Sequence, residues 1–297
     1  MSTQESIDPR EPLAALGLTD VDDVQGVSGG MDTHLWRVRV SSGIYALRLF
    51  RSDQQGQWAR EVHIMREVRA LDLPVPRIVA QGLWQERPAI VMDWYAGRPL
   101  LDEALAHPER ITQLGTSMGR LQAKLHAVTL PREDWTDHET WLQRAGPGEA
   151  ELHTRLRACR LRDGHALHLD FHPRNVLCDG FEARVILDWA NAAAGDPRAD
   201  VARTLSIFRY VPAPPTIPPD HFHAVRSGLE RAWWRGYTEV ADDLSDMLLF
   251  EIWAGFVFVR DMQQHVGKPG FWLEQADFDR VRDHVADLKR AAGMLPA

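Results

Sequence analysis

The feature that most constrains this chain is a change of hydrophobic period near residues 93–97. Ahead of it, Trp36, Val38 and Val40 alternate with Arg37 and Arg39. Ser41-Ser42-Gly43 supplies turn residues, and Tyr45, Leu47 and Leu49 resume the alternation. A period of two sends successive side chains to opposite faces, so these residues predict a hairpin with Arg48 on the face away from Tyr45 and Leu47. From Gln57 to Leu71 the spacing turns helical through Trp58, Val62, Met65 and Val68, and Pro74 and Pro76 require a stop near Asp72. Residues 78–80 and 89–92 predict two more strands. Behind the change, Ile111, Leu114, Met118, Leu121 and Leu125 hold one apolar face of a long helix. Strand-like segments return at 166–169, 176–178 and 185–187, with Asp179-Gly180 as a hairpin turn between the last two. Val201, Leu205 and Phe208 mark another helix, a proline-dense connector follows at 211–220, and the remainder reads as three helices. A strand-rich front and a helix-rich back predict an α+β fold of two lobes.

Composition narrows the function classes. With 34 basic against 42 acidic residues in 297, the net charge of −8 argues against a broad basic face for nucleic acid. No apolar run reaches the roughly 18 residues of a membrane-spanning helix. The opening MSTQESIDPREP lacks a signal-peptide layout, so a cytoplasmic location is expected. Cys159 and Cys178 are too few for a disulfide framework or a four-cysteine zinc site. Oligomeric state is left open. Eleven Trp against four Tyr is unusual, and isolated Trp residues are mostly core or groove walls.

The most informative stretch is His168-Leu169-Asp170-Phe171-His172-Pro173-Arg174-Asn175, followed by Asp188 at the end of an apolar strand. Phosphoryl transfer needs one carboxylate to accept a hydroxyl proton, with a nearby Asn and Asp holding magnesium on the phosphates. One loop delivers Asp170 and Asn175 together, and a hairpin returns Asp188 towards them. The block resembles the catalytic and metal-binding loops of the protein-kinase-like superfamily. It is most similar to the aminoglycoside phosphotransferase and choline kinase branch, whose loop reads His-Gly-Asp-x-His-Pro-x-Asn with an Ile-Asp-Trp segment after it. The matching residues are His168, Asp170, His172, Pro173 and Asn175, then Leu187-Asp188-Trp189.

That resemblance implies a bilobal protein-kinase-like fold, with a small antiparallel-sheet N-lobe carrying one helix and a larger, mostly helical C-lobe. The expected division is 1–95, ending in the hinge, and 96–297, with the catalytic loop at 168–175, a metal-binding segment at 187–200 and acceptor-binding helices at 220–297. It implies Asp170 as catalytic base, Asn175 and Asp188 as magnesium ligands, and ATP with Mg2+ as cofactors. His168 would be structural, and Asp196 and Asp200, in a Gly-Asp-Pro-x-x-Asp-type segment, would brace the loop; Asp200 could equally be a helix N-cap. In the N-lobe, Ser28, Gly29 and Gly30 would cover the phosphates through backbone N–H groups. Arg48, where the best-known kinases have Lys, would grip them with Glu61 as its partner. Met92 would wall the adenine pocket, and the backbone of Asp93 and Tyr95 would read the base.

The implied activity is transfer of the terminal phosphoryl group of ATP to a hydroxyl of a small-molecule acceptor. A catalytically weak nucleotide-binding regulatory module of the same fold is the alternative. Glu251 and Asp261 fit a cationic acceptor, and Trp233, Trp234 and Trp253 fit a wall for a quaternary ammonium; the acceptor itself is not specified. His126, at the end of the long helix, reads as a capping or packing residue.

Overall fold

The computed structural model describes residues 7–27, 33–131, 140–241 and 243–296. Two compact units divide at Ala96 and Gly97. In the first, helix α1 (Arg10–Ala15) precedes β1 (Val21–Gly26), β2 (His34–Val40) and β3 (Gly43–Leu49). Helix α2 (Gln55–Ala70) and the hairpin β4 (Ile78–Trp84) and β5 (Arg87–Asp93) follow. All five strands form one antiparallel sheet in the order β1-β2-β3-β5-β4. The alternation decides the layering. Val38, Val40, Leu47, Leu49, Ala89 and Val91 share one face with Leu13 of α1, whereas Ile90 meets Val62 of α2 and Phe50. Arg48, in register with Ile90, therefore lies on the α2 side.

The strands β4 and β5 are longer than the apolar runs within them. They meet at Gln85 and Glu86, both at positive φ (48° and 61°), as a two-residue type I′ hairpin turn requires. Gln-Glu is not a residue pair that announces such a turn, so the sequence reading stopped short. Asp72, also left-handed at φ 59°, follows the end of α2 where the prolines require it.

The second unit opens with β6 (Arg98–Pro99), α3 (Leu100–Ala106), α4 (Ile111–His126), α5 (Thr140–Gln143) and α6 (Ala150–Ala158). Next come β7 (His165–Leu167), β8 (Val176–Cys178), β9 (Ala183–Ile186) and β10 (Ala193–Gly195), which make two small sheets, β6-β8-β9 and β10-β7. Helices α7 (Pro197–Tyr210), α8 (Pro219–Thr238), α9 (Met247–Met262) and α10 (Gln275–Ala291) complete it. Their main core is aromatic, with Trp141, Phe250, Trp253, Phe258 and Phe278 buried together. No helix among the described residues is long and apolar enough to cross a membrane.

Two local expectations are corrected here. The strand expected at 166–169 ends at Leu167, because Leu169 is left-handed at φ 59°. The turn at Asp179-Gly180 is longer than two residues: Asp179 Oδ1 accepts the N–H groups of Phe181 and Glu182, an Asx turn closing 179–182.

Helices α4 and α8 approach so closely that only glycine fits at the contact. A Cβ on Gly119 would lie 2.1 Å from the Trp233 carbonyl oxygen, and one on Gly236 would lie 2.1 Å from that of Thr116. This backbone contact sets Gln122 and His126 of α4 against Trp233 and Tyr237 of α8.

Candidate active site

Buried polar side chains hold the loop between β7 and β8. Asp200, fully buried on the first turns of α7, accepts the backbone N–H of His168 at 2.9 Å and of Leu169 at 2.7 Å. Its Oδ2 also receives His126 Nε2 at 3.0 Å, which leaves His126 Nδ1 to accept from the Tyr237 hydroxyl at 2.8 Å. Burial pushes the Asp200 carboxyl up, but the His126 hydrogen bond and the loop N–H groups outweigh it and hold the group below its ordinary value. A second chain runs from Trp233 Nε1 to Gln122 Oε1, from Gln122 Nε2 to Thr204 Oγ1, and from Thr204 Oγ1 to the carbonyl of Phe171. The reactive-type residues of the loop thus stand on a satisfied interior.

His168 is fully buried, and its Nε2 donates to the Leu187 carbonyl at 2.9 Å. With Nε2 protonated, Nδ1 is the acceptor for the Asp170 N–H at 3.3 Å. One imidazole therefore links the residue before Asp188 to the backbone of Asp170. A second link runs from the Leu187 N–H to the Asn175 carbonyl at 2.8 Å. Asp188 itself is exposed and left-handed at φ 58°, beside the buried Trp189.

Asn175 Nδ2 donates to both the carbonyl and Oδ2 of Asp170, each at 3.1 Å. His172 Nε2 lies 3.7 Å from the same Oδ2, close enough for charge attraction but too far for a hydrogen bond. The Asp170 side chain is 26% exposed. Burial pushes its carboxyl up, yet His172 and Arg203 more than offset this and keep it well below the usual carboxylate range, so it is ionised at neutral pH. Asn175 and Asp188 offer an amide oxygen and a carboxylate, hard donors of the kind magnesium takes while keeping waters and substrate oxygens in its other positions. Among the described residues, no cluster of three His, Cys, Asp or Glu side chains could hold a metal ion.

Asp196, rather than Asp200, caps α7: its Oδ1 accepts the Arg198 N–H at 2.9 Å. The same carboxylate makes a paired contact with the buried Arg198 guanidinium, at 3.0 and 2.8 Å, and accepts the Arg162 N–H. Burial raises the Asp196 carboxyl, while Arg198 outweighs that effect and lowers it.

In the first unit, Arg48 Nη1 sits 2.6 Å from Glu61 Oε1, with the two side chains 12% and 2% exposed. Arg48 Nε also donates to Thr33 Oγ1 at 3.1 Å. Met92 is half-buried on β5. The Asp93 carboxylate pairs with Arg77, and its N–H is committed to the Arg77 carbonyl at 2.9 Å. Tyr95 is half-buried beyond the strand end. Ser28, Gly29 and Gly30 lie outside the described residues.

The family model described as the phosphotransferase enzyme family matches residues 23–241. The chain belongs to this family. Among its phosphotransferase relatives is a probable ketoamine kinase from Lactiplantibacillus plantarum, 26% identical over 65% of this chain and 77% of that protein. A homoserine kinase from Methylobacillus flagellatus is 24% identical over 77% of this chain and 79% of that protein. The fold is that of the aminoglycoside phosphotransferases. A thermostable variant of aminoglycoside phosphotransferase APH(4)-Ia, in ternary complex with AMP-PNP and hygromycin B, superposes with a TM-score of 0.67 at 17% identity, covering 95% of this chain and 98% of that one. Spectinomycin phosphotransferase APH(9)-Ia, in complex with ADP and spectinomycin, gives 0.57 at 10% identity over 98% and 100%. The α+β, protein-kinase-like expectation thus holds.

The phosphotransferase interior also corrects the reading of the C-terminal helices. Trp233 and Trp253 are fully buried, with their N–H groups used on Gln122 Oε1 and the Leu142 carbonyl, so neither can wall a cation site. Glu251 pairs with Arg209 at 2.5 Å. Asp261 stands between Arg144 and Arg203, at 3.1 and 3.4 Å, and is already balanced. Arg203 in turn points Nε at the Leu169 carbonyl at 3.4 Å, and Arg144 holds the Asn191 side chain at 3.0 Å. Sequence reasoning missed Arg203, Arg144 and Tyr237. Nothing in their spacing marks them, since their roles come from helices distant in sequence. His126 reads in the sequence as a capping or packing residue, whereas it bridges α8 to Asp200.

Proposed function

We propose that the chain transfers the terminal phosphoryl group of Mg-ATP to a hydroxyl of a small-molecule acceptor, with Asp170 as the catalytic base. The observation that carries this reading is the double tie between the two acidic segments: His168 to the Leu187 carbonyl and Leu187 to the Asn175 carbonyl, with Asn175 bonded to Asp170. It supports a shared site for Asp170, Asn175 and Asp188, the residue types that phosphoryl transfer uses.

In this reading Asn175 and Asp188 hold magnesium, which would neutralise charge on the phosphates. Asn175 fixes Oδ2 of Asp170, and Oδ1 meets the acceptor hydroxyl. As the hydroxyl oxygen bonds to phosphorus and the bond to the ADP oxygen breaks, the hydroxyl proton passes to the Asp170 carboxylate. A carboxylate held below the ordinary range suits late proton acceptance and orientation of the hydroxyl rather than early deprotonation. His168, Asp196 and Asp200 hold the loops in place. In the first unit, Arg48 is assigned to the phosphates, kept extended by Glu61, and the backbone of Ser28, Gly29 and Gly30 to the same groups. Met92 and the backbone of Tyr95 are assigned to the adenine, with Asp93 acting through its carbonyl because its N–H is taken. The presence of Asp170, Asn175 and Asp188 together favours turnover over a purely regulatory role.

Asp188→Ala tests the metal assignment. We expect magnesium-dependent tightening of AMP-PNP binding, followed by calorimetry, to disappear in the variant; an unchanged magnesium dependence would remove Asp188 from the metal site.

A further inference from the structure

We infer that the acceptor carries an anionic group, carboxylate or phosphate, that Arg174 receives. This inference rests on the phosphotransferase reading and names the acceptor class for the same site.

The second unit contains an open cavity of about 830 Å³, within the range of small-molecule sites. Its walls come from three places: Arg174, the proline connector at Pro214 and Pro215, and the segment of Phe271 and Trp272 ahead of α10. The Trp272 indole N–H donates to the Pro212 carbonyl at 3.2 Å, tying the connector to the opposite rim. Arg174 belongs to the same loop as Asp170 and directly precedes Asn175 in the chain, so the cavity reaches that loop through this one side chain.

Charge decides what the cavity suits. Arg174 is its one cationic lining residue, half exposed, with a distant partner in Asp102 at 3.9 Å. The one carboxylate among the lining residues, Glu274, caps the N-terminus of α10 by accepting a backbone N–H. The acidic residues expected to greet a polycation are elsewhere: Glu251 is taken by Arg209, and Asp261 by Arg144 and Arg203. A polycationic acceptor would thus meet a guanidinium whose ion pair is 3.9 Å long and a single carboxylate. A planar guanidinium instead offers paired N–H donors to a carboxylate or phosphate. The proline and aromatic walls accommodate the uncharged body of such a molecule.

The test uses the whole chain with matched acceptors. ADP release is measured with homoserine and its methyl ester, a fructose–glycine adduct and its methyl ester, glucose 6-phosphate and glucose, and hygromycin B. AMP-PNP binding is followed in parallel. One acceptor bearing a carboxylate or phosphate should be used, with its partner lacking that anionic group lower in kcat/KM by about ten- to a hundredfold, the worth of a hydrogen bond to a charged group. Which pair responds separates carboxylate from phosphate. Arg174→Gln should erase that preference and Arg174→Lys should restore part of it. Turnover of hygromycin B, equal use of the partners with and without the anionic group, or silence across the panel with AMP-PNP still bound would overturn the inference while leaving nucleotide binding in place. Loss of AMP-PNP binding by the unaltered chain would instead bring down the reading on which it rests.

Discussion

Asp170 and Arg174 occupy the same loop, yet the structure supports them in opposite ways. Beneath Asp170 lie fully buried polar groups, with Asp200 on two backbone N–H groups, Thr204 on the Phe171 carbonyl and His168 spanning to Leu187. Around Arg174 lie prolines, an aromatic rim and one long ion pair. The difference teaches where each kind of function can reside. Groups that must hold a fixed geometry stand on an interior that substitution disrupts. A residue that chooses the acceptor stands where its side chain can change and the core stays intact.

The comparison can be broken first at its buried side. Asp200→Asn removes the charge and turns half of an acceptor into a donor facing two N–H groups. We expect a loss of about 3–5 kcal/mol in denaturant unfolding, as for other broken buried pairs, and turnover should fall with it. A stable, active variant would mean that the loop is held by something other than Asp200. Gly119→Ala is expected to cost about 1–3 kcal/mol, because the new methyl must push α4 from α8 and part His126 from Tyr237. Thermal unfolding would detect this; no shift would show that the two helices can separate without cost. On the other side, Arg174→Gln should alter unfolding by no more than about 0.5 kcal/mol, the usual range for an exposed position. A larger loss would make Arg174 part of the framework and erase the contrast.

The sequence made the Asp170 side far more legible than its support. Alternation through Trp36, Val38 and Val40 identified the β2–β3 hairpin and put Arg48 on the correct face, since burial on a strand follows its period. The spacing of Asp170, Asn175 and Asp188 drew attention to the loop because all three sit on short connections between strands. Backbone conformation was less visible. Leu169 occupies a place where the related pattern has Gly, and the structure explains that preference through a φ of 59°, but Leu is read by periodicity as a strand residue. The network of His126, Tyr237, Gln122 and Thr204 could not be read at all. Its members come from α4, α7 and α8, and their meeting depends on glycine contacts that no local pattern encodes. The tryptophans show the same limit: Trp233 and Trp253 have the chemistry of a cation wall, and only packing reveals that they are interior.

Asp170 is proposed as the base for phosphoryl transfer, on a loop that Asn175 and the Leu187 ties hold. The most direct test is magnesium-dependent, acceptor-stimulated ADP release by the unaltered chain and by Asp170→Asn, with AMP-PNP affinity measured on both. Turnover in the variant should fall by about 10²–10⁴-fold, the contribution of a positioned general base, while AMP-PNP affinity is retained. Equal turnover in the two proteins would contradict the account.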